Sequence, residues 1–532
     1  VEADPPEVNL SAFETFFSEK RPFFIEGSGT YQFECRDCSL FYSRRIGRAP
    51  RGAPTIGTDE FMVHPVQTTI LGASKLTGRV RDFSVGVLAA ATQEEQADIA
   101  FGSLRRSEVI EPATFYSVSR ARREFSDQSS LGFIFTTTHR DLKEGVLFLP
   151  DNAVTGGIDY DWRIGKRWGL NGYWAGSSVN GSPLAIDALQ RSNVHSFQRP
   201  DADHVEVDPF AETLRGHSGM ASFGKIAGEH TRMNVQVAFK SPGFDVNDLG
   251  FQPRADVITQ NSWFQFRRQT PGKYTRNRFL NFNQWSAFNY GGDRLETGGN
   301  FNANWEFQNL WRAGGGISIN ARTFDDRLTR GGPGGYNEPN INSWQWVNTN
   351  DRKVLSLQWN SGFGGNGHGR YYEFEPRVVI RPVSSFSTEV GFRYNNNIED
   401  AQWVAEALDT AGRHYVFGRL EQQTHSLTLR VNYTMTPNLS LQIYGQPFTS
   451  AGDYVAYKEL VDGRAERYED RYAPYDYALN ADFNVLSFRT TNVLRWEYRP
   501  GSTLFVVWQQ GREGAGEPGR FSYGRNYSTL FS

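Results

Sequence analysis

No run of apolar residues in this 532-residue sequence approaches the ~18 that a membrane-spanning helix needs, so a helical membrane protein is excluded. Neither sign of charge predominates. Lys and Arg number 56, Asp and Glu 59, and the formal net charge of −3 supplies no long-range field of the kind that draws a protein to nucleic acid. No Pro/Ser-rich stretch or charge block divides the chain, so one large unit is expected. Cysteine is nearly absent, with Cys35 and Cys38 alone. Their spacing suits one local disulfide in an oxidising compartment, with free thiols as the alternative. Zinc would need two further ligands that no motif supplies, and a c-type haem would need His where Ser39 stands. The nine histidines are scattered, no Gly-x-Ser-x-Gly elbow occurs, and His139 and His425 have no partner by spacing. Enzymatic activity is therefore unsupported. Residue 1 is Val, without a basic start and apolar stretch, so any export signal is expected to lie outside this sequence.

Aromatic residues and glycine are abundant, with 40 Phe, 23 Tyr, 13 Trp and 53 Gly at a mean hydropathy of −0.55. A polar average is compatible with a membrane barrel, where only alternate strand residues meet lipid. Period-two alternation recurs along the chain. Leu427, Leu429, Val431, Tyr433 and Met435 oppose Ser426, Thr428, Arg430, Asn432 and Thr434. Met233, Val235, Val237 and Phe239 oppose Asn234, Gln236 and Lys240, and Phe301, Ala303, Trp305 and Phe307 oppose Asn300, Asn302, Asn304 and Glu306. Short turns such as 436–439 and 499–502 alternate with long loops near 182–216, 323–341 and 451–480, and aromatics such as Trp311, Trp496 and Tyr498 flank several turns. These features predict an all-β fold: a large antiparallel transmembrane β-barrel of roughly 20–26 strands with short periplasmic turns and long extracellular loops. About 21 strands are readable between residues 39 and 511, and bacterial barrels close on even numbers. A soluble β-propeller is the alternative, but no fixed-period motif supports it.

The segment from Asn9 to Gly27, NLSAFETFFSEKRPFFIEG, is too unusual for a composition effect. With Phe41–Arg48, Ile70–Gly78 and Leu494–Ser502 it resembles a family of uncharacterised bacterial outer-membrane barrels that commonly follow a carbohydrate-binding family 9-like domain. The resemblance covers nearly the whole chain. It implies a bacterial outer-membrane location, a sugar-binding-like domain and further strand sequence upstream, and a closing strand downstream. Outer-membrane lipid and the barrel-assembly machinery are the expected partners, and the resemblance implies no established activity.

Residues 1–38 are expected to form an N-terminal segment that enters the lumen or makes a rim loop, ahead of a barrel over 39–532. In the lumenal case Glu19, Lys20, Arg21 and Glu26 would pair with Arg44, Arg45, Lys75, Arg120, Arg122 and Arg123 and narrow the bore. Strand charges such as Arg393 with Glu389 and Arg495 with Glu497 are expected to brace a wet interior. Asp201, Asp203, Glu206 and Asp208 alternate in one loop as calcium ligands would, although a solvated acidic loop is the plainer reading. Three functions fit: a conduit for uptake, export or porin-like passage, possibly plugged; a surface platform binding polysaccharide or envelope proteins; and a barrel enzyme.

Overall fold

The computed structural model describes residues 8–410 and 412–531. Twenty-six strands lie among the described residues; twenty-one belong to an antiparallel barrel, where the three-residue Tyr472–Pro474 pairs only with Lys458, Glu459 and Leu460 at the loop end and the other twenty form the wall. In chain order these are β1 (Ile70–Val80), β2 (Phe83–Thr92), β3 (Thr114–Glu124), β4 (Ser130–Arg140), β5 (Asn152–Ile164), β6 (Trp168–Asn180) and β7 (Thr213–Lys225). They continue as β8 (Thr231–Lys240), β9 (Val257–Arg268), β10 (Thr275–Phe288), β11 (Arg294–Phe307), β12 (Arg312–Asn320), β13 (Asn340–Asn348) and β14 (Leu355–Gly365). The remainder are β15 (Arg370–Val383), β16 (Phe386–Asp409), β17 (Gly412–Thr436), β18 (Leu439–Leu460), β19 (Phe483–Arg499) and β20 (Ser502–Ala515). Each pairs antiparallel with its neighbours in sequence, as the registers Ser130↔Asp161 and Asn302↔Gly316 illustrate.

Alternation decides which side each residue takes. In β4, Leu131, Phe133 and Phe135 are exposed on the outer surface, while Ile134, Thr136 and Thr138 between them are buried inside. β8 and β12 repeat the pattern: Val235, Val237, Ile317 and Ile319 are exposed, whereas Ala238, Lys240 and Ser318 are buried. An apolar outer belt thus encloses an interior of mixed chemistry. Trp311, Trp496 and Tyr498 stand exposed beside tight turns, as expected of rings at an apolar–aqueous boundary.

Connections differ sharply between the two ends. At the turn end they are short, as at 81–82, 165–167, 384–385, 437–438 and 500–501; in the last of these Gly501 takes φ +80°, which a side chain would disfavour. At the loop end they include 93–113, 181–212, 241–256, 321–339 and 461–482. Helix α1 (Pro183–Arg191) sits there, capped by the Ser182 hydroxyl accepting from the Ala185 amide at 3.2 Å.

Three of these loops share a buried ionic knot. Arg199 reaches Asp256 at 2.9 Å and Asp326 at 2.6 Å, Arg254 reaches Asp326 at 2.7 Å, and His204 lies 2.8 Å from Asp256. The barrel begins later than the expected boundary at residue 39: Ser39–Thr69 holds no wall strand, because it lacks period-two alternation and carries Pro50, Pro54 and Pro65, which cannot donate to a ladder. The barrel sheet holds twenty-one strands, in line with the expected count of about 21, and twenty of them span the wall.

Candidate functional site

The N-terminal segment enters the barrel from the loop end and returns to it. Leu10 and Ala12 lie among the loops, their carbonyls accepting from Arg330 at 2.7 Å and Asn193 at 3.1 Å. Pro22 then starts a one-turn helix, Pro22–Ile25, and a 3-10 turn follows at Ser28–Tyr31. This stretch lies deep inside against β1 and β2: the Tyr31 hydroxyl donates to the Val87 carbonyl at 2.9 Å. The returning limb passes β5, β6 and β8, where Asn171 donates to Glu34 at 2.6 Å and Lys240 to the Asp37 carbonyl at 2.9 Å. It reaches the loop end again at Ser39 and Tyr42, whose amides donate to Phe251 and Leu249.

The dip has an apolar core shared with the wall. Phe24, Tyr31, Leu40 and Ile46 pack with Leu88, Val118, Ile134, Tyr173, Ala175 and Phe244. Burying each large apolar side chain contributes ~1.5–3 kcal/mol. Wall glycines permit the close approach: a Cβ at Gly157 would meet Phe33 at 2.7 Å, and one at Gly86 would meet Thr30 at 2.9 Å. One polar clasp is set within this apolar contact. Arg120 bonds both carboxylate oxygens of Asp159, at 2.5 and 2.8 Å, and donates to the Gln32 carbonyl at 3.1 Å. Its guanidinium lies 5.6 Å from the centre of the Phe33 ring.

Most of the sequence-predicted charges gather around the dip, in pairings the sequence did not specify. Glu19 pairs with Arg21 at 2.7 Å and accepts the Ser43 hydroxyl at 2.6 Å, while Arg21 donates to the Ser43 and Ile46 carbonyls, each at 2.7 Å. This knot ties the descending limb to the returning one. Burial pushes the Glu19 carboxyl up, but the bonds from Arg21 and Ser43 outweigh it and hold the group at about 2. Lys20 contributes its amide to Glu19 at 2.9 Å. Arg44 donates to the Ser18 carbonyl at 2.9 Å, and Arg45 pairs with Glu14 at 2.8 Å and donates to the Gly250 carbonyl at 2.8 Å, so Arg44 acts within the segment and Arg45 ties it to the 241–256 loop, neither from the wall. Lys75 bonds the carbonyls of Phe23, at 2.5 Å, and Glu26; the Glu26 residue itself is exposed. Arg122 donates to Ser130 at 2.8 Å. Arg123 does not join the group, because odd positions of β3 face outward; it stands at the turn end beside Asp82, Phe83 and Phe125.

Cys35 and Cys38 are joined by a disulfide on the returning limb, with their Cα atoms 5.2 Å apart. The acidic loop does not converge. Asp201 accepts from the Gly334 amide at 2.9 Å, Asp208 from the Phe210 amide at 2.9 Å, and among the described residues no group of three or more His, Cys, Asp or Glu could hold a metal ion. Arg495 pairs with Glu497 at 3.1 Å, but Arg393 turns to Glu373 at 2.9 Å and leaves Glu389 to Arg377 at 3.4 Å, since the neighbouring strand presents the nearer carboxylate.

Sequence reasoning missed the organisation of the opposite wall. From β9 to β13 the inner face is a lattice of amides and indoles. Asn281 donates to Asn302 at 2.7 Å, Asn283 to Asn300 at 2.8 Å, Asn302 to Asn300 at 3.0 Å, and Trp263 and Gln265 converge on Asn281 at 3.2 and 2.9 Å. Its signal was present in the Asn-x-Asn-x-Asn alternation at 300–304; what no spacing revealed is which strand stands beside it. The bore therefore has two sectors, one filled by the N-terminal dip and one lined by half-buried polar groups.

Two outcomes follow. The Glu19 carboxyl is depressed in the folded state, so its contribution is complete above its ordinary value of about 4.3 and is lost as pH falls through about 2. Hydrogen exchange in residues 8–51 is expected to accelerate between those values, and Glu19→Gln is expected to remove that pH dependence. Replacing Arg120 by Met strands the Asp159 charge and is expected to cost ~3–5 kcal/mol in denaturant unfolding, with much of the loss restored when Asp159 also becomes Leu.

No curated protein matches this chain. Among solved structures it is similar to the FrpB iron transporter from Neisseria meningitidis (F5-1 variant), at 11% identity and a TM-score of 0.40 over 83% of this chain and 79% of that one. It is also similar to the outer membrane transporter YddB from Escherichia coli, at 10% identity and a TM-score of 0.34 over 85% of this chain and 68% of the other. The family described as "Domain of unknown function (DUF5916)" matches residues 1–532, and the chain belongs to that family.

Proposed function

We propose that this protein is an outer-membrane conduit whose bore is narrowed on one side by the N-terminal dip and open on the other. The observation that carries this reading is the contrast between sectors. Inner faces that meet the dip are buried and close-packed, with Leu88, Val118 and Ile134 set among buried polar groups such as Arg120, Thr136 and Asp159, whereas inner faces at β11 carry half-buried Asn300, Asn302 and Asn304. Half-buried amide rows would be costly against hydrocarbon and suit a water-filled passage. The exposed belt of Phe133, Val237 and Ile317 supports lipid outside.

Single-channel recording of the full-length protein in a planar bilayer tests the conduit. Steady conductance is expected from the intact protein, and a several-fold rise on deletion of residues 14–27. Silence in both would contradict the reading and favour an anchored platform. For the membrane belt, Phe133→Arg is expected to cost ~2–4 kcal/mol when folding into lipid bilayers is measured against urea.

A further inference from the structure

Where residues 10–13 pass the loop ends of β10 to β13 they leave a cavity of about 710 Å³, within the ~300–1,000 Å³ span of small-molecule sites. Two indoles, Trp285 and Trp403, and five amides, Asn320, Asn337, Asn340, Asn366 and Gln402, contribute to its lining. Trp285 lies against the wall, since a Cβ on Gly298 would come within 2.8 Å of its ring. Asn320 and Asn342 both donate to the Asn340 side-chain oxygen, each at 2.7 Å. An amide carries two donors and two acceptor lone pairs, so these bonds leave further hydrogen-bonding capacity at the cavity wall.

The surface continues from the cavity toward the turn end. Trp344 and Trp346 follow Asn340 on the inner face of β13, a path of about 20 Å at the ~3.4 Å rise of a strand. Gly314 and Gly316 of β12 make room for them: a Cβ on Gly316 would meet Trp344 at 2.5 Å, and one on Gly314 would meet Trp346 at 2.8 Å. Several of the charges at the cavity are engaged locally, while Glu296 and Glu399 also line it. Arg254 pairs with Asp326 at 2.7 Å, Glu338 with Arg471 at 2.8 Å, and Arg330 donates to the Leu10 carbonyl at 2.7 Å.

We propose that this cavity, with the indole and amide face below it, binds a neutral oligosaccharide. A pyranose ring presents a C–H face that lies on an indole and a rim of hydroxyls that both donate and accept. Amides meet such a rim with both functions, and aromatic stacking adds apolar contact without demanding charge. The spacing of Trp285, Trp344 and Trp346 along the bore suits a chain of sugar rings rather than a single one. The assignment deepens the conduit reading by giving its solute class.

The test is calorimetric titration of the full-length protein in lipid nanodiscs with maltohexaose and xylohexaose, using hexagalacturonate and hexaglycine as comparators. At least one neutral hexasaccharide is expected to bind. Trp285→Ala with Trp403→Ala is expected to weaken binding about tenfold, equivalent to about 1.4 kcal/mol, while Trp285→Phe stays close to the original. Asn320→Ala with Asn340→Ala, which removes no aromatic packing, is expected to weaken it comparably. The proposal is overturned if neither neutral sugar binds, if both double variants bind as the original does, or if hexagalacturonate or hexaglycine binds more tightly. Bilayer recording separates this from the conduit reading. Conductance without sugar binding removes the oligosaccharide site alone, whereas sugar binding by a silent barrel removes the conduit and leaves the site standing.

Discussion

An antiparallel wall strand gives its two faces to different surroundings, and the period of two allows no residue to change sides without slipping the register of its strand. In this barrel the outer face is nearly uniform, running through Leu131, Phe133 and Phe135 in β4 and Ile317 and Ile319 in β12. The inner face is not uniform. It varies by sector: Val118, Ile134 and Ala175 lie among buried polar groups such as Arg120, Thr136 and Asp159 where the N-terminal dip presses against the wall, while Asn300 and Asn302 are half-buried in the sector opposite. Inner-face burial is thus a record of how the lumen is occupied.

Occupation of the filled sector depends on a few fixed points. Apolar burial by Phe24, Tyr31, Leu40 and Ile46 supplies the main attraction, while the Arg120–Asp159 clasp and the Glu19–Arg21–Ser43 knot set where the dip sits. A buried ion pair adds little net stability when compared with apolar residues of similar shape, yet it is costly to break by removing one partner. Its role here is positional. At the loop end, the shared contacts of Asp256 and Asp326 with Arg199 unite loops far apart in sequence and fix the mouth above the dip.

Fold class was legible in the sequence because alternation is a local property: Leu427 to Met435 reports its own two faces without reference to any neighbour. The tight turns and flanking aromatics were legible for the same reason. The charged motif at 19–26 and the pair Cys35 and Cys38 were visible as unusual residues, but their partners were not. Ser43, Ile46 and Gln32 enter through backbone carbonyls or a lone hydroxyl, which carry no sequence signature. Arg123 illustrates the opposite failure, since Arg120, Arg122 and Arg123 look like one cluster until the strand places odd and even positions on different sides. The convergence of Trp285 and Trp403 was illegible altogether, because more than a hundred residues of meander separate two positions that line one cavity.

Thiol labelling on the inner wall tests the two-sector lumen most directly. Cysteine is placed at Asn302 in one variant and at Val118 in another, in protein embedded in a bilayer, with Cys35 and Cys38 already joined to each other. A water-soluble maleimide is expected to modify position 302 readily and reduce conductance, while position 118, covered by the N-terminal dip, stays unmodified. Equal labelling at both positions, or protection of both, would contradict the account.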